Sequence, residues 1–278
     1  WTADAAQWSP KGGWWGFSDS PVVWDDKVFL NITDKGLALD LATGKILWSG
    51  TEAVPSYTTL LPLPEGNPVT ASPALVIQTC RGLNVVAPDT GQSLLAGTPA
   101  DWMATVSNNN GVSPKVYGRD LIVMHGSRGL SRISRQADGT WVEKWVCADL
   151  IYDKGNWFTF NRQVIHGRYV YAIAGNAKEQ DTRLACVDLE SGTQLWSKPE
   201  VFGNLLLAGD TLMLVTQDGD VAWGSLEGQE YLETFRQKVV NGGKGGDQDG
   251  PYWSHPVLHG GHLYLRSNKG KLTCFRVE

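Results

Sequence analysis

Hydrophobic and polar residues alternate in this chain over short stretches and never settle into a helical period. Between Ser20 and Ser49 the runs "SPVVW", "KVFLNI", "GLALDL" and "KILWS" are separated by "DD", "TDK" and "ATG". Apolar, β-branched and aromatic runs bounded by Gly, Asp and Asn are strand signals. No segment sustains the three-to-four-residue apolar spacing of an amphipathic helix. The pattern predicts four short antiparallel strands joined by tight turns.

The same pattern then returns. "ALDLATGKILWS" starts at Ala38 and "ACVDLESGTQLWS" at Ala185. The turn glycine of this phrase can be followed through Gly44, Gly91, Gly139, Gly192 and Gly228, at spacings of 47, 48, 53 and 36 residues. A self-similar period in that range marks a propeller, a solenoid or an array, and four antiparallel strands per unit select an all-β β-propeller. Six blades are recognisable, at about 16–50, 51–98, 106–148, 156–199, 200–240 and 251–278, in a single domain over 1–278. The last has three strands, while the opening "WT" matches the "WS" that ends a fourth strand elsewhere. If the ring closes, residues 1–8 are expected to complete that blade and protect its edge. Trp1, Trp48, Trp145 and Trp196, with Leu95 and Phe235 in weaker repeats, are read as structural wedges between blades.

Composition narrows the partners. The 278 residues carry 24 basic and 29 acidic side chains, a formal charge of −5, with no basic cluster for nucleic acid. No apolar run approaches the ~18 residues of a membrane helix. The chain opens at Trp1 rather than Met, as a processed or trimmed chain would, so the lack of a signal peptide does not read as cytoplasmic. Cys80, Cys147, Cys186 and Cys274 have no metal-ligand spacing. Cys80, Cys186 and Cys274 lie in strand-like runs, where buried thiols are expected.

"SPVVWDDKVFL", "GLALDLATGKILW", "LACVDLESGTQLWS", "GNLLLAGDTLML" and "YWSHPVLHGGHLYLR" together resemble the repeat of pyrroloquinoline-quinone-like, or quinoprotein-type, β-propellers across essentially the whole chain. Members of that family usually have seven or eight blades and work outside the cytoplasm. The resemblance therefore implies a periplasmic or secreted protein, and it fits either a ring closed at six blades or the last six of an eight-bladed propeller. The family holds dehydrogenases that bind the quinone with Ca²⁺, and also a lipoprotein scaffold of outer-membrane barrel assembly that binds no cofactor. The adjacent Cys-Cys pair of the alcohol dehydrogenases is missing here, and no Glu, Asn and Asp cluster for Ca²⁺ stands out. A shared fold does not transfer activity.

Ligands of propellers favour the central funnel, so the segments leading into each blade carry the candidate residues. These are Trp15, Asp19, Tyr57, Asn108, Asn110, Asn161, Arg162, Asn204, Trp253 and His255. Aromatic rings with a few convergent polar groups are the usual make-up of a pocket. Asp19 is the candidate base and His255 the candidate proton shuttle; no nucleophile elbow and no metal set accompany them. His255, His259 and His262 crowd in "HPVLHGGH" and are expected as turn histidines. "NIT" at Asn31 reads as strand sequence or, in a secretory host, as a glycosylation sequon. The first expectation is a binding or scaffold module that takes a small molecule, peptide, saccharide or protein. The alternative implied by the family is a quinone-dependent dehydrogenase of an alcohol or sugar, with Trp15 or Trp253 stacking on the quinone, Arg162 contacting it and Asp19 as base.

Overall fold

A computed structural model describes residues 1–4, 7–8, 17, 19–52, 57–79, 82–95, 111–126, 128–151, 163–176, 181–200, 202–227, 229–240 and 250–277. The chain divides into two compact units, Trp1–Thr159 and Phe160–Glu278.

In the first unit, β1 (Val22–Trp24), β2 (Lys27–Leu30), β3 (Leu37–Asp40) and β4 (Ile46–Ser49) form one antiparallel meander. A second sheet holds β5 (Leu61–Leu63), β6 (Ala74–Thr79) and β7 (Gly82–Val86), with a single bridge from Val86 to Ser93 where a fourth strand is expected. The third holds β8 (Lys115–Tyr117), β9 (Asp120–His125), β10 (Gly129–Arg135) and β11 (Trp141–Cys147). The second unit repeats the plan. Its sheets are β12 (Val164–His166), β13 (Tyr169–Asn176), β14 (Asp181–Asp188) and β15 (Gln194–Pro199), then β16 (Gly203–Ala208), β17 (Thr211–Thr216), β18 (Asp220–Glu227) and β19 (Glu230–Lys238). Three strands complete it: β20 (Val257–His259), β21 (His262–Arg266) and β22 (Leu272–Arg276). These six sheets are the propeller blades that the repeat predicts. Residues 1–4 are not in a strand.

Burial follows strand position. All six residues of β6 and of β9 are buried, as befits strands covered on both faces. The fourth strands alternate instead, as in β11 and β15, because one face meets water. Apolar clusters fill the space between neighbouring sheets of a unit. One joins Phe29 and Ala38 to Leu75 and Ile77; another joins Val76 and Leu83 to Leu121, Ile133 and Trp141. In the second unit Tyr171 and Leu184 meet Leu205 and Leu214, and Met213 and Val215 meet Leu263 and Leu265. Cys186 lies inside such a cluster, and burial pushes its thiol up to about 12. Cys147 is buried too. Cys274 departs from expectation: it is exposed, because β22 alternates and places it on the outward side. Cys80 lies outside the described residues.

The repeated phrase has a repeated geometry. The Gly44, Gly91 and Gly192 amides donate to the carbonyls four residues back, those of Asp40, Ala87 and Asp188, at 2.8–2.9 Å. That closed turn needs the left-handed φ of 70°, 65° and 74° found at these glycines. In every four-stranded sheet the ladder between third and fourth strands slips right after the pair that holds the signature aromatic. Those pairs are Ala38 with Trp48, Arg132 with Trp145, Cys186 with Trp196 and Trp223 with Phe235. A bulge re-aims the neighbouring side chain, and here it attends every one of these wedge positions. Trp48 donates its indole N–H to the Pro88 carbonyl at 2.7 Å, and Trp196 to that of Gln229 at 2.9 Å, each in the next sheet. Trp1 does the same to Leu41 at 2.9 Å, with its ring against Gly44, although the residue as a whole is exposed. Phe235 stacks within its own sheet on Trp223, with ring centroids 3.8 Å apart. The second sheet, which has Leu95 instead of an aromatic, is covered from the other side. Fully buried Trp141 of β11 donates to the Leu94 carbonyl at 3.2 Å, and Leu94 and Leu95 pack on its cluster.

Candidate functional site

Five of the ten candidate positions, Trp15, Asn108, Asn110, Asn161 and Arg162, lie outside the described residues. Asp19 and Tyr57 belong to the first unit; Asn204, Trp253 and His255 belong to the second.

In the first unit the polar groups converge on Asn31, which is 1% exposed. Its backbone amide donates to Asp19 Oδ2 at 2.8 Å. Its side-chain Nδ2 donates to the Thr58 carbonyl and hydroxyl, both at 3.0 Å, and to the Gln78 carbonyl at 2.9 Å. The Thr58 hydroxyl donates to the same Gln78 carbonyl at 2.7 Å. Gln78 Nε2 then reaches the next sheet and donates to the Met124 carbonyl at 2.7 Å. One residue farther along, the Thr59 amide donates to Ser113 Oγ at 3.0 Å, at the start of the third sheet. The first sheet thus passes a side-chain hydrogen bond to the second, and the second to the third. Tyr57 is buried beside this network.

Asp19 sits within this arrangement as a structural acceptor. Burial raises its carboxyl above the ordinary value, and the Asn31 amide offsets part of that shift. Asn31 is not an accessible sequon, because its carboxamide nitrogen is buried and fully used.

Asn31, Gln78 and His125 stand 47 residues apart at the ends of the second strands of three successive sheets. Gln78 and His125 line a cleft between the second and third sheets, together with Val123, Arg128, Ser131 and Glu143. Arg128 Nη2 pairs there with Glu143 Oε2 at 2.5 Å. This polar series was not among the candidate residues, although the 47-residue period carried a signal for it.

In the second unit Asn204, also 1% exposed, lies within β16 rather than in a loop. Its Nδ2 donates over 3.3 and 3.5 Å to the carbonyls of Trp253 and Ser254, which lead into β20. The Trp253 indole N–H reaches Gln217 Oε1 at 3.4 Å, and the Tyr252 amide donates to the Gln217 carbonyl at 3.1 Å. The fold therefore brings Asn204 and Trp253 together. The contact is between a side chain and backbone carbonyls, which holds the segment before β20 in place. His255 follows, half-buried, two residues before β20.

The order of strands, the wedge aromatics and the inter-sheet hydrogen bonds agree with one architecture. The fold is a β-propeller. Residues 158–278 match the family model described as outer membrane protein assembly factor BamB. The structure of BamB from Moraxella catarrhalis superposes with a TM-score of 0.62 at 17% identity, over 92% of this chain and 71% of that one. Sqt1 from Saccharomyces cerevisiae gives 0.63 at 12% identity, over 91% and 69%. The quinohemoprotein alcohol dehydrogenase from Comamonas testosteroni gives 0.56 at 12% identity, over 91% of this chain and 51% of that one. Among curated proteins no sequence matches. At these identities the likeness defines the fold, and quinoprotein-like propellers include chains of different activity. No helix among the described residues is long and apolar enough to cross a membrane.

Proposed function

We propose that this quinoprotein-like propeller is an extracytoplasmic protein-interaction or scaffold module. The carrying observation is the match of residues 158–278 to the BamB family model. The described polar groups support a structural platform. Asn31, Thr58, Gln78 and Asn204 direct their donors at backbone carbonyls of neighbouring segments, which stiffens the sheets. The partner is a protein, and the segments leading into the blades offer places for a peptide, saccharide or small molecule. A photo-crosslinking residue at exposed Leu47 of β4 or Leu232 of β19 tests this in the native cell, with the protein expressed from its own gene. The expected result is a discrete protein adduct in an extracytoplasmic fraction. A purely cytoplasmic protein without adducts at either position overturns the reading.

The superposition on a quinohemoprotein alcohol dehydrogenase favours a second reading, a quinone-dependent oxidation of an alcohol or sugar. The described residues fit it poorly. Asp19 is committed to the Asn31 amide, and the Trp253 indole is tethered to Gln217. No step is therefore assigned through a quinone. Dye reduction by protein reconstituted with the quinone and Ca²⁺, against a panel of alcohols and sugars, tests this alternative directly.

A further inference from the structure

The hairpin from β20 to β21 turns through two glycines. Gly260 and Gly261 have φ of 56° and 73°, both left-handed, as a two-residue hairpin turn of type I′ requires. His259 and His262 flank that turn and are partners in register. Residues directly opposite in an antiparallel pair project from the same face, with Cβ atoms ~5 Å apart. The register therefore places both histidines on one face of the hairpin tip, His259 exposed and His262 partly so, with the His262 ring 6.3 Å from that of Tyr264.

A second observation concerns the proton on His262. Its Nδ1 lies 2.8 Å from the Gly260 carbonyl oxygen. A carbonyl only accepts, so Nδ1 carries the hydrogen, and Nε2 keeps the lone pair that a metal takes. Tethering one ring nitrogen to a backbone carbonyl is the way proteins orient a ligating imidazole and fix its tautomer.

We propose that His259 and His262 form a two-imidazole site for a divalent first-row transition-metal ion. Nitrogen donors bind Cu²⁺ most tightly in that series. Among the described residues no group of three metal-binding side chains occurs, so water or a donor from a partner completes the coordination. Arg276 lies opposite His262 across the β21–β22 ladder, is exposed, and sets its positive charge against the ion.

The test is a CuCl₂ titration of the whole chain in a non-coordinating buffer, read by nitrogen couplings in the electron paramagnetic resonance spectrum. The expected result is a site whose affinity falls about tenfold or more in His259→Gln and in His262→Gln, rises in Arg276→Gln, and does not change in His166→Gln. Equal affinity in all variants, or Cu²⁺ held only at the amino terminus, overturns the proposal. Should the Gln variants fail to fold, acylation of the wild-type imidazoles followed by mass spectrometry decides the matter. Cu²⁺ must protect His259 and His262 together, and lack of protection overturns the site.

Discussion

The indole of Trp48 packs against Gly91, so close that a methyl group added to that glycine would fall 2.6 Å from the ring. The indole N–H spans 40 residues to Pro88, three positions before the glycine. Trp1 repeats both contacts one period earlier, with Gly44 and Leu41, across the same span of 40 residues. The repeated phrase thus works as a lock and its keyhole in the first sheet, which supplies the ring of Trp48 to the glycine turn of the second and whose own glycine turn takes the ring of Trp1.

Gly91→Ala is expected to cost about 2–4 kcal/mol, combining left-handed strain with overpacking. Gly118→Ala is the comparison, since its φ is 57° but nothing lies within 4 Å of the added methyl. It should cost about 1–2 kcal/mol. Urea unfolding of the two variants measures the difference, and equal losses would remove the docking role of Gly91.

Trp48→Phe keeps much of the apolar ring and removes the hydrogen bond to Pro88. A loss of about 1 kcal/mol is expected. Trp196→Phe should lose a similar amount, because its bond to Gln229 is of the same kind.

Asn31→Ala strips a buried donor from the carbonyls of Thr58 and Gln78. Unfolding free energy should drop by about 2–4 kcal/mol. Asn31→Asp should be worse near neutral pH, since a carboxylate would face those same carbonyl oxygens. Hydrogen exchange around Thr58 and Gln78 should quicken before exchange elsewhere in the unit.

Two aspartates should give opposite pH dependences. Burial raises Asp19, so its folded form binds the proton more tightly than the unfolded one. Its ionisation weakens the fold, and stability attributable to Asp19 should decline as pH rises from about 3.8 through its raised folded value. Burial also pushes Asp120 upward, but bonds from Ser134, Arg132 and Lys144 outweigh it and leave the carboxyl below its ordinary value. Its contribution should be complete above the unfolded value and disappear as pH falls through the lowered folded one. Denaturation curves of Asp19→Asn and Asp120→Asn from pH 2 to 7 test both signs. Asp19→Asn should gain relative stability toward neutral pH, and Asp120→Asn should lose it.

Strands were the most legible part of the molecule, because period-two alternation and turn glycines are local. β1 to β4 fall inside the four runs read between Ser20 and Ser49. The fourth strand of the second sheet was less legible, since among the described residues a single bridge from Val86 to Ser93 stands in its place. The site was harder still. Asp19 looked like a base because a carboxyl leading into a blade is chemically suggestive, yet Asn31, twelve residues on, claims it. Asn31 itself hid inside "KVFLNI", where one polar residue in an apolar run gave no hint that three neighbours converge on it.

By itself the sequence determined the repeating unit, its strands, the glycine turns and the wedge aromatics, all of which depend on residues close together in the chain. Only the tertiary structure decided what the polar residues do. Hydrogen bonds between sheets join groups 27 to 50 residues apart, and a buried donor must find whichever acceptor the packing brings to it. That pairing depends on how neighbouring sheets face one another, which no single repeat encodes.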